Sequence, residues 1–356
     1  MNPTAKKWLQ ITIGVAVSAF FIWLSFRSIK LADLAAALKS ANWWYAIPMM
    51  CVTMASFFWR CFRWQILLAP VKKITAARLY PPLMIGFAFN NIFPARAGEF
   101  ARPLALSKAE GVPYGTGFST VLLERVIDVI TLLVLFIGMP YYMSIDPSVK
   151  ETYNLGGKEI IIDAAWLKTA TKSISLLAVA MTIVLGSFLV PAMKKLYIAI
   201  LERLPLLPAI VKEKLIAFIE SFTSGIQSVK SPKAIVMLAI HSLIIWFSVA
   251  FSFQLMGWGF PGVQMTFGQS LAFVVVTCVV ISIPSSPGFW GLYEFGGLIA
   301  LLLMGVVPND AAGRAQAFAF TAVVHFLQWL PITIYGLWAA GKLSVKAGEA
   351  EAVAPA

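Results

Sequence analysis

Long apolar runs separated by short charged loops set the pattern of this chain. Six runs, at residues 8–26, 43–68, 115–139, 173–193, 234–256 and 314–340, are long enough to cross a membrane as helices. A hydrocarbon core of about 30 Å needs roughly 20 apolar residues at 1.5 Å each. Two further runs, 79–112 and 267–307, begin apolar and then break. The first breaks at Asn90-Asn91-Ile92-Phe93-Pro94-Ala95-Arg96-Ala97-Gly98-Glu99, the second at Ile283-Pro284-Ser285-Ser286-Pro287-Gly288-Phe289-Trp290-Gly291. Proline and glycine at this density end helices. Broken backbone survives at membrane depth only when buried in protein or lining a wet cavity. Both runs therefore predict helix–break–helix hairpins that enter the membrane and return to the same side.

The order of elements also repeats. Each half reads span, amphipathic connector, span, broken hairpin, span. Each half has three full crossings, an odd number, so the second half is inverted relative to the first. Inverted repeats whose broken helices meet near the midplane are a transporter architecture. The expected fold class is an all-α polytopic membrane protein of two inverted repeats, with about six full transmembrane helices plus two broken re-entrant hairpins. Residues 1–140 form the first repeat, 141–171 an outer connecting loop, 172–342 the second repeat and 343–356 a disordered tail. Residues 29–41 and 194–230 mix Leu and Ile with Lys, Asp and Glu, as helices lying along a membrane surface do. For the second stretch an ordinary helical loop fits equally well.

Composition agrees with the pattern. The 356 residues are 60% hydrophobic and 12% charged, about half the charge of an average soluble domain. The net charge of +12 sits largely in loops. Thirteen Lys and Arg fall in pieces 1–7, 70–80, 193–232 and 341–356, against six in 27–41, 140–171 and 257–265. This retained-side excess places both termini in the cytoplasm. Positive charge dispersed over short loops argues against a nucleic-acid partner, which wants a clustered basic face. Lys6 and Lys7 precede an apolar run with no small-residue cleavage site, so the first helix is expected to stay uncleaved. Cys51, Cys61 and Cys278 lack CxxC spacing, and His241 and His325 are far apart in sequence. No metal, cofactor or disulfide framework is expected. Nor is an enzyme: the sequence offers no nucleotide-binding loop and no nucleophile–base–acid set.

Candidate chemistry lies in ionisable residues inside apolar surroundings, which cost about 2.5–3.5 kcal/mol each on insertion scales unless partnered or functional. Arg96, Glu99 and Arg102 follow Pro94. If the chain turns helical there, they share one face at i, i+3, i+6. Two guanidinium forks around one carboxylate leave a positive charge suited to a phosphate, or they stitch the hairpin together. Glu124, Arg125 and Asp128 form a second group, with the acids at i, i+4. They could pair with Arg96 or Arg102, meet a cationic head group or proton, or form a local salt-bridge cluster. Glu294 is the only charge between Lys233 and Asp310. His325 and Gln328 are candidates for a polar lining, with a structural histidine as the plainer reading. Arg60 and Arg63, near the inner end of their span, are expected mainly to reach lipid head groups, with substrate contact as the alternative. His241 is expected in the core.

Three motifs carry a resemblance to a known family. They are Pro94-Ala95-Arg96-Ala97-Gly98-Glu99-Phe100-Ala101-Arg102, Glu124-Arg125-Val126-Ile127-Asp128 and Pro287-Gly288-Phe289-Trp290-Gly291-Leu292-Tyr293-Glu294. With them the chain resembles the lysylphosphatidylglycerol synthase transmembrane-region family, also known as flippase-like or UPF0104, over about residues 8–340. The second break departs from that family's more glycine-rich stretch. The resemblance implies an inner-membrane protein that moves a polar-headed lipid between leaflets. In the best-known members this region precedes a soluble synthase domain. Here the sequence ends soon after Ala340, and no such domain is expected. The head group stays open between an aminoacyl-phospholipid and an isoprenoid-linked lipid. The expected function is thus a lipid flippase. The alternative is a non-transporting accessory protein that scaffolds a lipid-synthesising enzyme. Self-association is left open.

Overall fold

The computed structural model describes residues 29–94, 96–142, 150–155, 158–163, 191–204, 231–282 and 287–353, with parts of 12–26 and 169–219. The described chain is helical apart from one antiparallel hairpin, β1 (Lys150–Leu155) and β2 (Lys158–Asp163), which falls in the expected outer loop.

The first half begins with α1 (Leu31–Ser40). Its Leu34 and Leu38 pack on the core and the rest is mostly exposed, as its amphipathic spacing predicts. A 3-10 turn at Trp43–Tyr45 follows, where the Asn42 side chain accepts from the Trp44 N–H. This turn leads into α2 (Ala46–Leu68). Then come α3 (Ala76–Ile92) and α4 (Gly98–Glu110), joined by the first break. Gly111, at φ 68, ends α4 in the left-handed conformation that a glycine adopts freely. Helix α5 (Tyr114–Tyr142) closes the half.

The second half contains α6 (Pro191–Arg203), α7 (Pro232–Gly259), α8 (Phe267–Val280), a 3-10 turn (Pro287–Phe289), α9 (Leu292–Leu303) and α10 (Ala311–Val353). Thr266 and Gln269 form a reciprocal capping box that starts α8. The tail expected to be disordered from 343 is helical as far as Val353. Its Ala-, Glu- and Lys-rich sequence carries high helix propensity, so α10 runs on past the apolar stretch.

Among the described residues, three helices are long and apolar enough to cross a membrane: Trp43–Leu68, Pro232–Gly259 and Ala311–Ser344. The predicted span at 115–139 is the 29-residue α5, interrupted in apolarity by Glu124, Arg125 and Asp128. The predicted span at 8–26 is helical at 18–26, and its other residues lie largely outside the described ones. The span at 173–193 lies mostly outside them too.

Helix α3 ends at Ile92 before Gly98 starts α4, and α8 ends at Val280 before the turn at Pro287–Phe289; residues 283–286 of the second break lie outside the described ones. Helices α3 and α4 pack back to back at the first, and a methyl group on Gly98 would sit 1.7 Å from the Gly86 carbonyl oxygen. Only glycine permits that approach. Backbones at van der Waals distance are the usual source of helix association where lipid removes the hydrophobic drive. Across the second break, Gly296 of α9 packs on Thr277 and Val280 of α8.

Among the described residues the apolar interior falls into two large clusters and a small one at Ile85, Ala105 and Ala339. Phe57, Trp64, Leu83, Leu106 and Val121 of the first half take in Leu238 and Ile332 of the second. Phe253, Phe273, Leu301 and Phe320 of the second half take in Met49 and Phe136 of the first. Helix α2 lies along α7, and Asn42 N–H donates to Gly259 O at 2.7 Å where the two ends meet. Helix α10 lies along α3, where Gly336 admits the Met84 carbonyl and Ala88.

Candidate functional site

Three helices aim charged side chains into one buried cluster. Arg60 and Arg63 come from α2, Arg102 from α4, and Glu124, Arg125 and Asp128 from α5. The i, i+4 spacing puts both acids on one face of α5. Arg63 Nη1 donates to Asp128 Oδ1 at 2.6 Å and to Ser242 Oγ of α7 at 3.0 Å. Its Nε lies 3.6 Å from Glu124 Oε1. Arg102 Nη1 lies 2.5 Å from Glu124 Oε2. Arg125 Nη1 and Arg60 Nη1 approach Asp128 Oδ2 at 3.6 and 3.9 Å. Arg63 is 0% exposed, Glu124 1% and Arg102 3%.

The expectation that Arg60 and Arg63 reach lipid head groups is overturned. Helix α2 presents them inward, because its other face carries the exposed Phe58 and Phe62. Once buried, such a side chain is tolerated only with carboxylate partners that offset its desolvation.

The cluster holds four guanidinium groups and two carboxylates, a formal excess of two positive charges. Arg102 is stacked on the Trp64 ring, 3.7 Å from its centroid. Trp64 is itself fixed by its Nε1 donating to Thr120 Oγ1 at 2.9 Å. Arg102 Nε and Nη2 nevertheless find no hydrogen-bond partner among the described residues. Buried N–H groups of a charged side chain left without acceptors are costly. An anion could satisfy them, although Glu124 Oε1 and Oε2 and Asp128 Oδ2 in the same cluster also lack hydrogen-bond donors.

The first break is arranged differently from the one-face expectation. Helix α4 starts only at Gly98, and Arg96 sits before it at φ 53. Arg96 is therefore in the turn, half exposed, 4.0 Å from Glu99 and away from Arg102. Arg102 takes Glu124 as its partner instead of Glu99. The turn is pinned by Asn90, whose Oδ1 accepts from Gly98 N–H at 2.8 Å.

The two breaks touch. Arg96 lies over the Phe289 ring at 5.9 Å. A methyl group on Gly288, which has φ 69, would sit 3.0 Å from Asn91 O. Asn91 Nδ2 also donates to Thr333 Oγ1 of α10 at 2.9 Å. Beyond the second break, Glu294 Oε1 pairs with His325 Nδ1 at 2.6 Å, and Gln328 donates to Tyr293 OH at 2.9 Å. Glu294, His325, Tyr293 and Gln328 thus come together, apart from the arginine cluster.

His241 is buried, its Nδ1 2.7 Å from Met237 O. A groove of about 550 Å³ between α2 and α7 is lined by Phe62, Gln65, Lys233 and His241 among others. None of its lining residues belongs to the charged cluster.

Residues 11–336 match the lysylphosphatidylglycerol synthase TM region family. The chain belongs to that family. It is also 25% identical to the UPF0104 membrane protein PH1989 of Pyrococcus horikoshii over 344 residues, covering 93% of this chain and 96% of that protein. It is 24% identical over 329 residues to glycosyltransferase AglD of Haloferax volcanii, covering 88% of this chain but 52% of that one. The chain therefore spans about half the length of AglD. With three apolar helices of crossing length, this family member is a helical membrane protein.

Within this lysylphosphatidylglycerol synthase TM region fold, sequence reasoning missed Asn90, Asn91 and Ser242. The two amides were legible as polar groups inside an apolar run beside a proline. Ser242 carried no signal, since a lone serine in a span normally bonds its own helix, as this one also does to Leu238 O.

Proposed function

We propose that this protein passes a phosphate-bearing, polar-headed lipid between the leaflets of the cytoplasmic membrane, with both termini in the cytoplasm. The observation that carries the reading is Arg102, buried and stacked on Trp64, with Nε and Nη2 unsatisfied in a cluster two positive charges in excess. A phosphate accepts bidentately from such a fork. Arg96, half exposed at the contact of the two breaks, serves as the outer point of capture. Glu124 and Asp128 hold the guanidinium groups in place and set the residual charge.

The two halves act as inverted repeats. The reciprocal cores support this, each half lending residues to the other's apolar cluster. Both hairpins are re-entrant, and rocking of one half against the other parts the breaks and exposes Arg102 alternately. The lipid tails stay in the bilayer, and no bond is made or broken. The family and UPF0104 names support a lipid-related role in the membrane. An aminoacyl-phospholipid and an isoprenoid-linked phosphate both present the required phosphate.

The test is leaflet exchange of a fluorescent short-chain phosphatidylglycerol in proteoliposomes of the purified chain. Arg102→Lys keeps the charge but loses the fork. It should slow exchange by at least about tenfold, the worth of one charge-assisted hydrogen bond. Arg96→Ala, at an exposed site, should slow it with little effect on folding. Wild-type rates in both variants sink the assignment, and no exchange above protein-free vesicles sinks transport itself.

A second reading has one observation in its favour. The chain covers only about half of a relative named as a glycosyltransferase, which fits a membrane region serving a lipid-modifying enzyme. On that reading the purified chain moves no lipid, and the same vesicles decide.

A further inference from the structure

The second break holds a charged pair that phosphate capture leaves unused. Glu294 is 3% exposed and is the only charge in the sequence between Lys233 and Asp310. Its Oε1 meets His325 Nδ1 at 2.6 Å, and its Oε2 accepts from Gly291 N–H at 2.6 Å. The imidazole is sandwiched between Tyr293, at 4.1 Å and 17°, and Trp290, at 4.3 Å and 35°. Other ionisable groups nearby are Tyr293 itself and Cys278 of α8. From the first hairpin the charged group at this turn is Arg96, over Phe289.

With a neutral imidazole and an ionised carboxylate, the pair carries one negative charge. Binding one proton makes it neutral overall, as imidazolium–carboxylate or as imidazole–carboxylic acid. Held 2.6 Å apart, the carboxylate and the imidazole are two groups between which one proton can be shared.

That proton is mechanically connected to the first break. The Glu294 carboxylate caps Gly291, which has φ 89, and so holds a turn that also contains Gly288 at φ 69 and Phe289 at φ 62. Gly288 and Gly291 adopt positive φ freely, whereas Phe289 at φ 62 is strained and persists only where the surroundings hold it. Gly288 bears on Asn91 and Phe289 lies beneath Arg96. A change in the charge of the carboxylate changes its hold on the turn, and the turn sets the contact between the two breaks.

We propose that Glu294 and His325 form a proton-binding site coupled to lipid passage, so that a transmembrane proton gradient drives the exchange. The inference rests on the transport reading above. By linkage, the head group and the proton bias each other's binding through the turn they share.

The test uses the same proteoliposomes and probe, with membrane potential clamped by potassium and valinomycin. A pH step of about two units is imposed in each sign. Wild-type exchange should accelerate about fivefold or more for one sign, within the usual range of coupling between sites. Glu294→Gln and His325→Gln should lose that acceleration, and Glu294→Asp should regain part of it. Wild-type exchange that ignores both signs overturns the proton site while transport stands. Acceleration that survives in both variants also overturns it. No wild-type exchange above protein-free vesicles overturns both readings. Should the variants fail to insert, the wild-type comparison of step against no step still decides.

Discussion

Arg63 illustrates how much a single side chain depends on its surroundings. Buried and bonded to Asp128 and Ser242, it offsets two carboxylates that would otherwise lie uncompensated in the interior. Removing one partner of such a network costs about 3–5 kcal/mol, because the remaining charges stay buried. Arg63→Ala should therefore lower the thermal unfolding midpoint in detergent sharply, whereas Arg63→Ala combined with Asp128→Asn should lose less than the sum of the two. Additive losses would show that the pair does not couple. The local part of this network was legible: Glu124, Arg125 and Asp128 sit as their spacing requires, with Arg125 3.6 Å from Asp128. The inward turn of Arg60 and Arg63 was not legible. Their i, i+3 spacing is the same whether that face meets lipid or protein, and their partners lie some sixty residues away in sequence.

Among the elements, the first hairpin depends on backbone contact. Gly98→Ala would drive a methyl group into the Gly86 carbonyl, at 1.7 Å before any relaxation. Overpacking of this kind costs about 1–3 kcal/mol. Gly115→Ala at the start of α5 meets nothing within 4 Å and serves as the control. Thermal unfolding should separate the two, with Gly98→Ala lower and Gly115→Ala unchanged or slightly higher, since alanine is the better helix former. Equal midpoints would mean that the hairpin is not held by this approach. The breaks themselves were readable because proline and glycine act on their own backbone. The position of Arg96 was not. Helix α4 begins only at Gly98, where the Asn90 side chain receives the first free N–H, so Arg96 falls in the turn.

For the whole molecule, the proposed transport would need the two breaks to part, and Asn91 joins the first hairpin to α10 through Thr333 at 2.9 Å. In a background with the native cysteines replaced, Asn91→Cys with Thr333→Cys should form a disulfide that holds the halves together. Leaflet exchange should stop under oxidation and return on reduction. Exchange that continues with the bond formed would mean that this junction does not move. Residue order alone was enough to establish that the chain is a helical membrane protein, where its two breaks fall, and which acids share a face of α5. These follow from hydrophobic length, from proline and glycine, and from helical period, all of them local. The packed fold settled what residue order could not: that Arg60, Arg63 and Arg102 converge on those acids, that Arg96 stays outside them, and that Glu294 meets His325. Those outcomes depend on how each helix is rotated about its own axis. That rotation is set by close glycine contacts and shared cores between residues far apart in the chain, and a lipid-facing and a protein-facing apolar stripe look alike in sequence.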